Sequence, residues 1–225
     1  MKNNRSLKNG NTKWHPYAGK STALYSGMLL DGLDYFCDLL KKDKIELKNI
    51  YAINSCIVFL SISSLEAKFN ERIFILKACI QDNPKFFEFI ETIHRNIEFL
   101  PIEKKWNIIA SISNGKKWNN FSEPFQSFEI IKSLRNELIH YKAEPMDCDE
   151  VPLNKLKQFN KILKLQSQKN INIENRGNWI HLIMGNKKLS FWLKEKTHEF
   201  SNFISDSLIG EIIWDFEKIL INNSK

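Results

Sequence analysis

The sequence predicts an all-α protein. Only eight glycines and six prolines interrupt its 225 residues, fewer than the frequent turns of an all-β fold require. Between them, apolar residues recur at the three- and four-residue spacing of a buried helix face. Hydrophobic residues make up 43% of the chain, which is enough for a full core. We expect a basic polar tail over residues 1–20 and a single helical domain over residues 21–225.

Five helices are predicted in order along the first part of the chain. Ser21 or Thr22 can cap the N-terminus of the first helix. Pro84 ends the long second helix and is the first residue of the third. Pro145 disfavours helix at the preceding residue and so ends the fifth. The predicted spans are residues 21–42, 47–82, 84–100, 102–113 and 124–141.

The following part of the chain, residues 145–190, has a mixed pattern. "LNKLKQFNKILKLQ" is typical of a basic amphipathic helix, and "KNINIENRGN" of a loop. Gly185 and Asn186 could turn a hairpin, although residues 188–220 also have the pattern of one long closing helix. We favour the helix, with an irregular or hairpin insertion around residues 145–190 as the open alternative.

The net charge of +7 is unevenly distributed. Residues 1–20 and residues 151–170 each contain five basic side chains and no acidic one, so the rest of the chain sums to −3. A localised basic surface attracts a polyanion such as RNA through counterion release. A solvated tail and a solvated helix face explain the same pattern equally well.

The cysteines and the N-terminus indicate a cytoplasmic protein. The four cysteines are far apart and form no CxxC or Cys/His grouping, so reduced, packed thiols are expected and no metal or cofactor is. The N-terminus is polar and lacks the apolar core of a secretory signal. The run "CIVFLSI" is too short to span a bilayer, so no membrane association is expected.

Two polar positions on the second predicted helix are candidates for a supporting role. Glu66 and Asn70 lie one turn apart, on or near its core side. A buried carboxylate requires a partner, so Glu66 could accept a hydrogen bond from a positive group on a neighbouring helix. A simple surface pair is equally consistent with the spacing.

"SLRNELIHYK" places three chemically useful side chains near the end of the fifth predicted helix. At 100° per residue, Arg135, Asn136 and His140 share one rim, opposite an apolar face that includes Leu134 and Leu138. A histidine that changes protonation, an arginine that grips phosphate and an amide that orients either one suit phosphodiester cleavage. The simpler interpretation is that these side chains cover the surface of the bundle.

The stretch resembles the signature of the HEPN superfamily (higher eukaryotes and prokaryotes nucleotide-binding). "SSLEAKFNERI", "PIEKKWNIIASISNG" and "FQSFEIIKSLRNELIHYK" together are similar in organisation to bacterial HEPN-like proteins over residues 20–145. The resemblance implies an antiparallel helical bundle, often dimeric, and a metal-independent RNA endonuclease of a defence or toxin–antitoxin system. It assigns Arg135, Asn136 and His140 to the active site.

The implied reaction is attack by the RNA 2′-hydroxyl on the adjacent phosphorus, leaving a cyclic phosphate and a 5′-hydroxyl. His140 would be general acid or base, Arg135 would stabilise the charge on phosphorus, and Asn136 would orient either group. Because one histidine cannot easily be both acid and base, the resemblance implies a homodimer with paired motifs. Candidate RNA-binding residues are Lys142, Lys155, Lys157, Lys161 and Lys164.

One departure concerns the protein partner. HEPN toxins that are neutralised by nucleotidyltransferase antitoxins typically carry a tyrosine two places after the histidine, whereas this chain has Lys142 there and its tyrosine at Tyr141. The departure argues against that kind of antitoxin and leaves another antitoxin or defence-system protein as the expected partner. The alternative function is a non-catalytic HEPN-like module that binds RNA or protein and uses the motif helix for dimerisation.

Overall fold

The computed structural model describes residues 25–42, 44–79, 84–112, 117–140, 159, 162 and 179–223. Within these ranges the regular structure is helical and contains no strand, which confirms the all-α prediction. The helices are α1 (Tyr25–Leu39), α2 (Leu47–Cys79), α3 (Pro84–Ile97), α4 (Ile102–Ile112), α5 (Phe125–Ile139), α6 (Trp179–Met184) and α7 (Lys187–Asn223).

Helix α2 is the central element of the fold. It packs against α1, α7 and α5 and also contacts α3 and α6. Because neighbours surround it, α2 is apolar on several faces, and Ile57, Leu65 and Phe69 are fully buried. Its 33 residues agree with the long second helix predicted from the sequence.

The apolar stretch of α2 is longer than "CIVFLSI" alone indicated. By length and composition, Leu47–Phe74 could cross a membrane. An 18-residue window within it has a mean hydropathy of 1.5, and 44% of that window is buried. The core helix of a soluble protein meets the same criterion, so this observation is weak evidence for a membrane span. Cytoplasmic localisation therefore stays a prediction.

Aromatic rings join α4, α5 and α7. Trp106 of α4 stacks on Phe203 of α7, with centroids 5.4 Å apart, and meets Phe125 of α5 edge to face at 5.2 Å. Pairs of this geometry stabilise a core beyond the area that they bury. The aromatic cluster comprises Phe69, Trp106, Trp118, Phe125, Phe128, Phe200 and Phe203.

The corner between α6 and α7 is held by the fully buried Asn54 of α2. Its Nδ2 donates to the carbonyl oxygens of Met184 (2.6 Å) and Asn186 (3.2 Å), and its Oδ1 accepts from Ser190 Oγ. Asn186 Oδ1 in turn accepts from Lys188 N at 2.9 Å, which caps the start of α7. The hairpin considered at Gly185 and Asn186 is therefore wrong, because the dipeptide joins two helices.

Polar contacts fix α1 against α7. Asp34 of α1 pairs with Lys194 Nζ at 3.1 Å and His198 Nε2 at 2.9 Å. Burial alone would raise the pKa of Asp34, but hydrogen bonds from these two groups outweigh it and lower the pKa. Nearby, burial raises the pKa of the Cys37 thiol to about 11, so this thiol is protonated at neutral pH, as expected for a packed cysteine.

The predicted helices before residue 140 agree with the observed ones to within about four residues at each end. The proposed N-caps Ser21 and Thr22, the basic tail over residues 1–20 and almost all of residues 145–178 lie outside the described residues. From that last range the structure describes two positions, Phe159, which is buried, and Ile162, which is partly buried.

Candidate functional site

Helix α5 carries the "SLRNELIH" motif and is fixed at both ends. The Glu123 carboxylate accepts from Ser127 Oγ (2.8 Å) and Ser127 N (3.3 Å), which satisfies a free amide of the first turn. Phe125, Phe128, Ile131 and Leu134 are buried, and Leu138, predicted on the same face as Leu134, is partly buried. The helix ends at Ile139, and the amide of its C-cap residue, His140, donates to Asn136 O at 2.9 Å.

A cavity of about 490 Å³ opens beside the motif. Three segments surround it together with α5: the middle of α2, the connection between α3 and α4, and the start of α4. Its lining is rich in charged and amide groups. The lining residues are Glu66, Phe69, Asn70, Glu98, Phe99, Leu100, Pro101, Ile102, Glu103, Lys105, Lys132, Arg135 and Asn136.

A buried lysine stands between α4 and α2 on one side of the cavity. Lys105 is only 7% exposed, and its Nζ donates to Asn70 Oδ1 at 2.9 Å. Burial lowers the pKa of Lys105, and the nearby Glu66 and Glu98 carboxylates oppose that shift only in part. A lysine whose pKa is lowered in this way takes part more readily in proton transfer than a solvated one.

A second cation lies on α5, one turn before the motif arginine. Lys132 Nζ contacts Glu103 Oε1 at 2.6 Å and Glu129 Oε2 at 3.0 Å. Burial alone would lower the pKa of Lys132, but the hydrogen bonds to both carboxylates outweigh it and raise the pKa. Lys132 is therefore committed to its two carboxylates, in contrast to Lys105.

Arg135 is partly buried and has an unused donor. Its Nε is buried and has no hydrogen-bond acceptor among the described residues. A buried N–H without an acceptor costs about 1–3 kcal/mol. Arg135 also lines the cavity, and a guanidinium is a group that binds anions.

The structure brings four of the five predicted catalytic and supporting residues to one cavity: Glu66, Asn70, Arg135 and Asn136. Asn70, rather than Glu66, accepts the hydrogen bond from a cation of a neighbouring helix, Lys105. Glu66 is exposed and interacts with Lys105 through charge.

His140 is exposed at the end of α5 and is not part of the cavity lining. The candidate RNA-binding residues Lys142, Lys155, Lys157, Lys161 and Lys164 lie outside the described residues.

The sequence interpretation missed Lys105. The position of Lys105 in the sequence indicates that it is buried. Ile102, Trp106 and Ile109 mark the buried face of α4, and Lys105 falls on the same face at helical spacing. A lysine at such a position requires an internal partner, here Asn70. Helical periodicity could therefore have found it, although not the partner.

Among the described residues, no group of three or more His, Cys, Asp or Glu side chains is placed to hold a metal ion. No family model matches the chain, and neither curated proteins nor solved structures gave a match.

Proposed function

We propose that the protein is a metal-independent RNA endonuclease of HEPN type, acting as a homodimer in bacterial defence or as a toxin. The observation that carries the proposal is that Arg135 and Asn136 line one cavity with Glu66 and Asn70, two positions from a different helix. A mere surface helix gives no reason for polar groups of α2 and α5 to converge beside a buried lysine. The resemblance of "SLRNELIHYK" to the HEPN signature supplies the reaction.

The chemistry uses the chain's own groups. A base removes the proton from the RNA 2′-hydroxyl as its oxygen bonds to phosphorus, and an acid protonates the departing 5′-oxygen as the P–O bond breaks. Arg135, which lines the cavity, would bind the charged phosphate oxygens through its guanidinium. His140 would transfer a proton, and Asn136, which lies one turn before it on α5, would help to position it.

The exposed position of His140 is consistent with a site completed by a second chain. Since His140 lies outside the cavity lining, the described residues of one chain do not enclose the histidine and the arginine together. A two-fold axis near the end of α5 would bring two copies of His140 to one phosphate, one as base and one as acid. The proposal therefore includes a dimer as the active species.

The same position also favours the second candidate, a non-catalytic HEPN-like module that binds RNA or protein. An exposed histidine at a helix end is an ordinary surface residue, and the end of α5 would then serve for dimerisation. This candidate predicts binding without cleavage.

The test is cleavage of total RNA by purified protein in EDTA. We expect His140→Ala to lower the rate by about 10²- to 10⁴-fold, the typical contribution of a general acid or base, and Arg135→Ala to abolish detectable cleavage. Products should carry a cyclic phosphate and a 5′-hydroxyl, and a single 2′-deoxy nucleotide at the cleaved bond should block the reaction.

A matched control is available on α3, where "IHRN" carries the same residue types outside the cavity lining. The double variant His94→Ala/Arg95→Ala should cleave RNA at the wild-type rate, with a helical circular dichroism spectrum like that of the other variants. Full activity of both His140→Ala and Arg135→Ala would refute the nuclease. Binding of RNA by wild type and His140→Ala alike, with no cleavage by either, would establish the second candidate instead.

A further inference from the structure

Part of the cavity beside the motif is unsuited to phosphate. The Glu66 and Glu98 carboxylates line it, and no hydrogen bond or ion pair among the described residues engages either of them. Lys105 lies close enough to both to interact through charge, but its hydrogen bond goes to Asn70. Both carboxylates are exposed and line the same cavity as Arg135, so they remain able to accept hydrogen bonds from a ligand there.

Carboxylates repel phosphate and accept hydrogen bonds from N–H donors. In RNA, such donors lie on the edges of the bases. Guanine presents two neighbouring donors, N1–H and N2–H, which match the two oxygens of one carboxylate. Adenine, cytosine and uracil each place an acceptor beside their donor, and a carboxylate would face that acceptor at a cost.

An aromatic ring completes the cavity on its solvent side. Phe99, in the connection between α3 and α4, lines the cavity and is 91% exposed. A large apolar side chain that stays this exposed beside a polar cavity offers a face on which an unpaired base can stack. The volume of about 490 Å³ lies within the range of about 300–1,000 Å³ that is usual for ligand pockets.

We propose that the cavity binds an unpaired guanine base of the RNA substrate, stacked on Phe99 and hydrogen-bonded through N1–H and N2–H to a carboxylate of Glu66 or Glu98. The inference rests on the proposed function, since Arg135 at the same cavity would hold the neighbouring phosphate. Base recognition would then select the bond that the motif cleaves.

The test is equilibrium binding, measured by fluorescence anisotropy in EDTA on the His140→Ala protein so that cleavage does not interfere. The probe is a labelled single-stranded 12-mer of uridines with one central guanosine. Replacing that guanosine by adenosine should weaken binding about tenfold, the discrimination expected of a bidentate contact. Inosine, which lacks the N2 donor, should fall between the two.

Variants in the same background locate the contact. Glu66→Gln/Glu98→Gln should bind the guanosine and adenosine probes equally, and the single changes should show which carboxylate is responsible. Glu88→Gln, an exposed glutamate of α3 outside the cavity, is the charge-matched control and should keep the tenfold preference. Phe99→Ala should weaken binding of both probes, whereas Phe121→Ala, which removes an equally exposed ring at 92%, should not.

The outcomes separate this inference from the nuclease. Cleavage by wild type together with equal affinity for both probes would overturn the guanine site and leave the nuclease standing. Guanosine preference without cleavage would support the guanine site while refuting the nuclease. Guanosine monophosphate competing as strongly as the 12-mer would assign the cavity to a free nucleotide and overturn its assignment to RNA.

Discussion

Lys105 and Trp106 are neighbours on α4, and they belong to two regions of opposite character. Trp106 is 2% exposed at the centre of the aromatic cluster, where rings from α2, α4, α5 and α7 cover one another. Lys105 is 7% exposed at the polar cavity, where Asn70 supplies its hydrogen bond. Two side chains of the same helix are thus buried to a similar degree in quite different surroundings.

The difference lies in the kind of group that each region buries. The aromatic cluster buries mostly apolar ring surface, which stabilises the fold, and it contains one buried polar atom without a partner among the described residues, Trp118 Nε1. At the cavity the atoms in that condition belong to charged groups, Arg135 Nε and Glu103 Oε2. An unpaired atom of a buried charged group costs more than a neutral one, so the cavity stabilises the fold less than the cluster does.

Trp106→Ala should have the largest effect on stability. It removes the ring that contacts Phe69, Phe125 and Phe203, and we expect the free energy of unfolding to fall by about 3–5 kcal/mol. Urea denaturation followed by circular dichroism measures the change. Phe121→Ala, which removes an exposed ring, should stay within about 0.5 kcal/mol of wild type. A loss below about 1 kcal/mol for Trp106→Ala would show that the aromatic cluster is not the stabilising region.

Lys132→Met should have an intermediate effect, because Lys132 is the best-satisfied charge of the cavity. Its loss leaves Glu103 and Glu129 without their counter-charge, and we expect a destabilisation of about 1–3 kcal/mol at neutral pH. The pKa of Lys132 is raised, so its contribution is fully present below the ordinary value of 10.5 and is lost as the pH rises through the higher value of the folded state.

Unfolding curves at neutral pH and above pH 10.5 test both parts of that expectation. Glu103→Gln is the matched partner variant, and the double variant should be less destabilised than the sum of the two single changes. Additive effects would show that the 2.6 Å contact contributes nothing to stability.

The helices could be predicted because their signals are local. Prolines and apolar periodicity placed the start of α3 at Pro84 and the long span of α2, and both agree with the structure. The join at Gly185 and Asn186 was ambiguous in sequence because the same dipeptide can turn a hairpin or end a helix. The buried Asn54, 130 residues away in the sequence from Met184, decides it in favour of the helices.

The candidate site could be predicted only where one helix carries it. Arg135 and Asn136 stand out in a single motif, and periodicity marks Lys105 as buried, whereas its partner Asn70 and its neighbour Glu98 acquire meaning when α4 and the α3–α4 connection pack beside α2. Helical spacing likewise grouped His140 with Arg135 on one rim, although α5 ends at Ile139 and His140 stays outside the cavity lining. Such tertiary proximity has no signature in a single sequence.

Lys105→Met should have the smallest effect on stability, although Lys105 is almost as buried as Trp106. Methionine keeps the length and helix propensity of lysine and removes the cost of burying its charge, while the exposed Asn70 can turn to water. We therefore expect a change within about 1 kcal/mol at neutral pH, of either sign.

The pH dependence distinguishes a tolerated lysine from a stabilising one. Because burial lowers the pKa of Lys105, the unfolded chain holds this proton more tightly, and stability should rise with pH between the lowered value and 10.5. That rise should vanish in Lys105→Met and persist in Lys104→Met, its exposed neighbour on α4. A loss above about 2 kcal/mol at neutral pH would make Lys105 a structural cation that the cavity needs in order to fold. A loss of RNA cleavage or binding at unchanged stability would instead place its charge in the site.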